Sequence, residues 1–375
     1  MGFEIWKMDN FAERMKIVFF IGGLSGGGAE RVVCNLASFL ANRNHFVTIL
    51  SMADDEATYG LANSVKRIDL ISQSERKNVL YDFLVRYWRL IKYVRNSDDD
   101  VFVVFLPITI LMFFSIRWLT KAKVIASERN LPSTYPGWQQ VLLRKMAGCA
   151  NGWVFQTEEQ KRWYNVSMGI SQVVIPNAAN FKFQSGSTIA ISERKKVIVN
   201  VGRLKPQKNQ ALLLKAFALI KDKYPDYILS IYGDGPLQNN LLTLARELRI
   251  ERKVNFHGFV KDISPEILKS SVFVLSSDFE GMPNALMEAM ALGIPCISTD
   301  CGGGGAKALI ENEKNGLLVP CNDEHALANA ICRILDNQPF AETIGLEARE
   351  ICNNLSPEKV YGEWEKFIFN IISQM

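Results

Sequence analysis

The chain has 375 residues, and 48% of them are hydrophobic, which is enough apolar material for two cored domains. Its formal net charge is only +4, which gives little support to a nucleic-acid-binding role. The excess positive charge lies in the first half, where residues 1–180 carry 21 Lys and Arg against 16 Asp and Glu. The seven cysteines include no C-x-x-C pair, so neither a disulfide framework nor a zinc site is indicated, and a reduced, cytoplasmic location is predicted.

The first half is predicted to alternate strands and helices after an extension at residues 1–15. A strand at residues 16–21 runs into the glycine-rich turn GGLSGGGAER, and a helix follows over residues 30–42. Gly27 and Gly28, with Gly26 before them, let backbone amides approach a ligand closely at the start of that helix. A tight turn that binds no ligand explains the same glycines equally well.

A helix predicted over residues 79–95 places basic side chains beside aromatic ones. Its cations recur every three residues, at Arg86, Arg89, Lys92 and Arg95. A helix of this composition suits an anionic membrane surface. An ordinary surface helix with solvated charges is an equally weighted alternative.

The apolar run at residues 101–119 raises the question of a membrane span. It has the necessary length, but Pro107 interrupts it and Arg117 lies inside it. A buried strand followed by a buried helix is the favoured interpretation.

Polar side chains follow the strand predicted at residues 123–126. Glu128 and Arg129 come directly after it, at the sheet edge where parallel α/β folds bind ligands. Residues 1–177 are predicted to form the first domain, and the polar stretch 178–196, which has no helical or strand period, is predicted to be a linker.

The second domain, predicted over residues 197–356, restarts the alternation. A strand at residues 197–204 places Arg203 and Lys208 near its carboxyl end. Two cations at this position can neutralise a diphosphate leaving group without a metal. Ordinary surface cations are the alternative.

The segment from residue 271 to 299 is predicted to be a strand, a turn, a helix and a second strand. Glu280 lies in the turn and Glu288 lies two turns inside the helix. The amino end of the helix, with its free N–H groups and positive dipole, is suited to a phosphate, and the two carboxylates can accept hydrogen bonds from sugar hydroxyls. A plain strand–turn–helix with two solvated acids is the competing interpretation.

Several motifs together resemble the family 4 glycosyltransferases of the GT-B architecture. They cover most of the chain: GGLSGGGAERVVCNLA, SERN, IPNAAN, VGRLKPQKN, YGDGP, FHGFV, FEGMPNALMEAMALGIPCIST and NGLLV. The resemblance implies an α/β fold with two Rossmann-like, doubly wound parallel-sheet domains that face a central cleft. It also implies that the last helix, over residues 357–375, crosses back to the first domain.

The resemblance assigns roles to individual residues. Arg203 and Lys208 are expected to hold the diphosphate of a nucleotide-sugar donor, Glu280 to contact the donor sugar and Glu288 to bind the ribose. The other donor-side residues that it implies are Gly27, Gly28, Gly233, Gly258, Phe259, Gly281, Met282, Pro283 and Asn284. Pro283 contributes no N–H group.

One departure from the family pattern concerns the acceptor side. Many relatives carry a histidine near the strand end that SERN occupies here, and this chain has none there, so Glu128 or Arg129 is expected to take over that role. The GGGAER and SERN motifs resemble a subset of retaining enzymes that add a hexose or N-acetylhexosamine from a UDP-sugar to undecaprenyl-diphosphate-linked saccharides. Such an enzyme is expected to work at the inner face of the cell membrane without a cofactor or metal.

Two other classes of function remain open from the sequence. A nucleotide-sugar 2-epimerase has the same architecture but not this FEGMPN segment, and a non-catalytic nucleotide-binding protein would not need the four charged residues. A NAD-dependent dehydrogenase is disfavoured, because no G-x-G-x-x-G follows the first strand.

Overall fold

Alternating strands and helices build two parallel sheets, one in each half of the chain. The computed structural model describes residues 14–179 and 193–374. The first sheet has seven strands: β1 (Lys16–Ile21), β2 (Phe46–Ser51), β3 (Lys66–Asp69), β4 (Val101–Phe105), β5 (Lys123–Ser127), β6 (Gly152–Phe155) and β7 (Ser171–Val174). Their spatial order is β3-β2-β1-β4-β5-β6-β7, and all neighbours are parallel.

Helices cover both faces of this sheet because its strands are apolar on both sides. Ile17, Phe19 and Ile21 of β1 belong to one buried cluster, and Val18 and Phe20 belong to the cluster on the opposite face. The helices of this half are α1 (Gly28–Asn42), α2 (Val79–Asn96), α3 (Pro107–Phe114), α4 (Gly137–Met146) and α5 (Glu158–Tyr164).

The second sheet has six strands in the order β10-β9-β8-β11-β12-β13, again all parallel. These strands are β8 (Lys195–Val201), β9 (Ile228–Tyr232), β10 (Val254–Phe256), β11 (Ser270–Leu275), β12 (Cys296–Thr299) and β13 (Leu317–Val319). Its helices are α6 (Gln210–Ile220), α7 (Gln238–Glu247), α8 (Ser264–Leu268), α9 (Asn284–Ala291), α10 (Gly305–Leu309), α11 (Glu324–Asp336), α12 (Gln338–Ala348) and α13 (Ile351–Asn354).

The last helix, α14 (Pro357–Ser373), leaves the second domain and packs on the first. Its buried residues recur at helical spacing and join the core that contains β1 and α1: Val360, Tyr361, Trp364, Ile368 and Ile371. The predicted crossing of the C-terminal helix is therefore confirmed.

The run at residues 101–119 is a buried strand followed by a helix, as predicted. β4 is buried throughout, and α3 begins at Pro107, where a missing N–H costs nothing. Arg117 donates hydrogen bonds to backbone carbonyls of Cys149 and Thr120. Among the described residues, no helix has the length and apolar character that a bilayer crossing requires.

Some predicted boundaries differ from the observed ones. β8 begins at Lys195, inside the predicted linker, because Lys195 already pairs with Ser270 of β11. β8 ends at Val201, so Arg203 lies in the loop after the strand. The rest of the linker at residues 180–192, and the extension at residues 1–13, lie outside the described residues.

Each sheet reverses its strand order at one point. In the first sheet the reversal separates β1 from β4, and in the second it separates β8 from β11. Parallel α/β sheets bind ligands at such points, beyond the carboxyl ends of the strands. The glycine-rich turn follows β1, the loop with Lys208 follows β8, and the loop with Glu280 follows β11, so this topology brings the predicted site residues to the reversal points.

Candidate functional site

Lys208 and Glu280 form an ion pair at the reversal point of the second sheet. The Nζ atom of Lys208 lies 2.5 Å from Oε1 of Glu280. Only 7% of the Glu280 side chain and 21% of the Lys208 side chain are exposed. Partial burial strengthens the attraction between the two charges and fixes the position of the ammonium group.

Two further side chains hold the Glu280 carboxylate. The hydroxyl of Ser277 donates to Oε1 at 2.6 Å, and Nε2 of Gln207 donates to the carbonyl of Phe279 at 2.8 Å and lies 3.5 Å from Oε2. Neither residue was singled out from the sequence. The signal that could have indicated them is their position in the sequence. Ser277 lies in SSDFEG, three residues before Glu280, and Gln207 lies in LKPQKN, directly before Lys208.

Arg203 reaches across to the first domain. Its Nη2 atom donates to the carbonyl of Gly26, in the glycine-rich turn, at 2.5 Å. Arg203 and Gly26 also line a cavity of about 470 Å³ together with Gly233 and the exposed ring of Phe259. The amide of Gly233 donates to the carbonyl of Gly258 at 2.7 Å, which brings the loops after β9 and β10 together at this cavity.

The glycine-rich turn is tied down within its own domain. The amide of Gly26 donates to Oγ1 of Thr58 at 2.8 Å, and the side chain of Glu30 folds back over Gly27. A β-carbon on Gly27 would lie 1.9 Å from that carboxylate, so a larger residue there would displace the Glu30 side chain. Burial raises the pKa of Glu30.

The amino end of α9 faces the first domain. The first amides of a helix have no intrahelical acceptor, and here the N-cap residue Pro283 offers no side chain that could accept from them. Oδ1 of Asn284 accepts a hydrogen bond from Nδ2 of Asn177 at 2.9 Å. A β-carbon on Gly28 would lie 3.3 Å from Nδ2 of Asn284, and Met282 is buried beside this turn.

Glu288 is also bonded to the first domain. Its Oε1 atom lies 2.5 Å from Nη1 of Arg31 on α1. Side-chain exposure is 16% for Glu288 and 26% for Arg31. Arg31 was not predicted as a site residue, although it closes the GGGAER motif.

The two domains touch closely at Gly281. A β-carbon there would lie 2.6 Å from the carbonyl oxygen of Arg129 and 2.6 Å from Oε1 of Gln156. The loop that carries Glu280 therefore packs against the loop after β5. Thr157 adds a hydrogen bond across the same boundary, because its hydroxyl donates to the carbonyl of Gly303 at 2.8 Å.

The acceptor-side prediction for Glu128 needs correction, because this residue is fully buried. Its carboxylate accepts hydrogen bonds from the hydroxyls of Tyr135 and Tyr164 at 2.7 and 2.5 Å and from the amides of Arg129 and Asn130. Burial raises the pKa of Glu128, and the hydrogen bonds oppose that rise. Glu128 therefore supports its own loop and does not reach the cleft.

Arg129, the other residue predicted for the acceptor side, is also buried, and its guanidinium is occupied by contacts inside the protein. Its guanidinium lies beside the stacked rings of Phe105 and Trp364, at 5.4 and 5.2 Å from their centroids, and Nη1 donates to Oδ1 of Asn177 at 3.3 Å. Burial lowers the pKa of Arg129 to about 9. Arg129 therefore links the C-terminal helix to Asn177.

The four cations predicted on α2 have different environments. Arg89 forms two hydrogen bonds with the carboxylate of Glu75, and half-buried Arg86 lies 4.0 Å from Asp82. Lys92 and Arg95 are exposed. Nζ of Lys92 lies 5.4 Å from the ring centroid of Trp88, which is itself 60% exposed.

Comparison with known proteins decides the family. The profile described as Glycosyltransferase Family 4 matches residues 26–183, and the one described as Glycosyl transferases group 1 matches residues 184–351. A Campylobacter jejuni (subsp. jejuni serotype O:2) protein described as GalNAc-alpha-(1->4)-GalNAc-alpha-(1->3)-diNAcBac-PP-undecaprenol alpha-1,4-N-acetyl-D-galactosaminyltransferase is 30% identical, over 95% of this chain and 99% of its own length. The chain belongs to the family 4 glycosyltransferases.

Solved structures agree on the fold of this glycosyltransferase. Sucrose-phosphate synthase from Thermosynechococcus elongatus superimposes with a TM-score of 0.82 at 19% identity, over 96% of this chain and 100% of that one. HepE from Anabaena, in complex with UDP, superimposes with a TM-score of 0.78 at 17% identity, over 95% and 100% of the two chains. The predicted GT-B architecture is therefore confirmed.

The four charged residues predicted for the donor site lie at the contact between the two domains of the glycosyltransferase or beside it. Arg203 and Glu288 bond to the first domain, and Lys208 and Glu280 bond to each other next to Gly281. Paired cations and carboxylates beside a helix amino end can hold an anionic group and the hydroxyls attached to it.

Proposed function

We propose that this glycosyltransferase moves a hexose or N-acetylhexosamine from a UDP-sugar to an undecaprenyl-diphosphate-linked saccharide, with retention of the anomeric configuration. The observation that carries the proposal is the Lys208–Glu280 pair at the reversal point of the second sheet. The name of the Campylobacter relative describes transfer to an undecaprenol-linked saccharide, and the HepE structure contains UDP.

The proposed chemistry assigns one task to each charged group. The bond between the anomeric carbon of the donor and the diphosphate oxygen breaks, and a bond from that carbon to the acceptor oxygen forms on the same face of the sugar. The proton of the acceptor hydroxyl passes to the departing diphosphate. Lys208 and Arg203 stabilise the negative charge that develops on the departing diphosphate. Glu280 accepts hydrogen bonds from hydroxyls of the donor sugar, and Glu288 binds the ribose.

A panel of UDP-sugars, incubated with undecaprenyl-diphosphate-linked saccharides, tests the function directly. We expect one donor to increase the mass of the acceptor by one sugar residue, and NMR of the product to show the anomeric configuration of the donor. A UDP-sugar that is converted without an acceptor would instead favour the 2-epimerase. Binding of UDP-sugar without any conversion would favour the non-catalytic protein.

We also propose that the enzyme works at the inner, cytoplasmic face of the cell membrane and contacts the bilayer through α2. Leu80, Leu84 and Trp88 are exposed and lie at intervals of four residues, which gives one apolar stripe along the helix. Exposed Lys92 continues the stripe, and Arg95 follows it. An apolar stripe with cations at one end fits an anionic bilayer surface better than four cations alone, because Arg86 and Arg89 are already paired with acids.

The double variant Leu84→Ser/Trp88→Ser should bind anionic vesicles at least about tenfold more weakly, because both side chains would lose burial among lipids. Sedimentation with phosphatidylglycerol vesicles measures the effect. The double variant Lys92→Gln/Arg95→Gln should also bind the vesicles more weakly. High salt should remove the difference between this variant and the wild type, because it screens the charges, but it should not remove the difference for Leu84→Ser/Trp88→Ser. The control is Leu346→Ser, which alters an equally exposed leucine on α12 of the other domain. Vesicle binding equal to that of the wild type in both double variants would refute the role of α2.

A further inference from the structure

The ion pair between Arg31 and Glu288 joins residues 257 positions apart in the chain. Arg31 lies on α1 of the first domain, directly after the glycine-rich turn, and Glu288 lies on α9 of the second. Their 2.5 Å contact therefore requires the two domains to be as close together as they are in this structure.

The geometry of the pair leaves part of the carboxylate available. Arg31 approaches Oε1, and Oε2 of Glu288 accepts no hydrogen bond from the residues that the structure describes. A guanidinium is planar and permanently charged, so it holds a carboxylate oxygen in a defined direction. With Oε1 held by Arg31, Oε2 can accept a hydrogen bond from a ligand.

The domain contact does not depend on Arg31 alone. Arg203 bonds to the carbonyl of Gly26, and Asn177 bonds to Asn284, across the same boundary. Both domains also have their own buried cores. Removing the Arg31 side chain should therefore leave the fold and the approach of the two domains largely intact.

We propose that Arg31 is a positioning residue for the donor nucleotide: it orients Glu288 from the opposite domain, so that the ribose site is complete only when the cleft is closed. This inference rests on the proposed function, in which Glu288 binds the ribose. It adds that Arg31 of the first domain increases the affinity for the nucleotide indirectly, by orienting Glu288, and does not itself contact the nucleotide. Donor binding and cleft closure then stabilise each other.

Calorimetric titration with UDP and with 2′,3′-dideoxy-UDP, which lacks both ribose hydroxyls, tests the proposal. We expect Arg31→Gln to bind UDP about tenfold more weakly, within the usual range of coupling between sites. Its affinity for the dideoxy compound should stay close to that of the wild type. Glu288→Gln should behave alike, and the double variant should lose little more than either single one. Arg31→Lys should recover part of the loss, because it keeps the charge without the planar fork.

Arg333→Gln is the matched control, because Arg333 forms an ion pair with Glu313 at 2.7 Å within the second domain. It should bind UDP like the wild type. The inference is overturned if Arg31→Gln binds UDP with wild-type affinity, or if it loses the same factor for UDP and the dideoxy compound. A wild-type protein that does not discriminate between the two ligands also overturns it. A wild-type protein that binds no uridine nucleotide contradicts the proposed UDP-sugar donor itself.

Discussion

Replacing Lys208 by alanine is expected to lower kcat for sugar transfer by about 10²–10³-fold, the usual loss when one stabilising group is removed from a developing oxyanion. KM for the donor should change less, because the charge on the diphosphate oxygen develops as the glycosidic bond breaks. Initial rates with the donor and acceptor selected from the UDP-sugar panel measure both constants.

The position of Lys208 explains the size of this effect. Its ammonium is held 2.5 Å from Glu280, which in turn accepts a hydrogen bond from Ser277. The cation is therefore in place before the reaction, and no reorganisation is needed when charge develops. Glu280→Gln, which removes the negative charge but keeps the size of the side chain, should also lower kcat strongly.

Lys196→Ala is the control for Lys208→Ala. Lys196 is an exposed lysine of the same domain, paired with Asp226 at 2.7 Å on the surface. Its replacement should leave kcat unchanged. Circular dichroism and thermal unfolding should show that Lys208→Ala is folded. A folded Lys208→Ala variant with wild-type kcat would contradict the proposed mechanism.

Replacing Trp364 by alanine is expected to lower the free energy of unfolding by about 3–5 kcal/mol, the usual cost of truncating a buried tryptophan. Trp364 is completely buried, stacks on Phe105 at a centroid distance of 5.9 Å and covers one side of the Arg129 guanidinium. Its loss would leave a cavity and remove one of the two aromatic rings that contact the buried guanidinium of Arg129. Scanning calorimetry should show a lower unfolding temperature for the first domain, on which α14 packs.

Trp118→Ala provides the comparison for this prediction, because Trp118 is 80% exposed. The same change of side chain there should alter the free energy of unfolding by no more than about 0.5 kcal/mol. If both variants unfolded at the wild-type temperature, α14 would not stabilise the first domain as the structure indicates.

The anchoring of α14 also involves a buried ion cluster that the sequence did not indicate. Glu365, which is 2% exposed, accepts hydrogen bonds from His45 at 2.9 Å and Arg43 at 2.7 Å, both in the first domain. The sequence predicted an apolar stripe on this helix, which periodicity reveals. From the sequence alone, Glu365 is expected to be solvated, because its partners lie more than 300 positions away in the chain.

The sequence by itself determined the alternation of strands and helices in each half, the apolar stripe of the last helix, and the positions of Arg203, Lys208 and Glu280 after strands. These features depend on local patterns: apolar runs for buried strands, glycine and proline at turns, and polar residues directly after a strand. Lys208 and Glu280 could be placed together because their strands belong to one alternating α/β unit. The resemblance of the motifs to a known family added the expected roles.

Only the tertiary structure decided which of the predicted side chains face the cleft. Glu128 and Arg129 follow a strand end just as Arg203 does, but their loop packs inward against Tyr164 and Trp364, so both are buried. The pairing of Arg31 with Glu288 joins two domains whose approach no local pattern encodes. Strand ends are set by local sequence, whereas the burial of the side chains that follow them depends on the residues that distant segments bring against them.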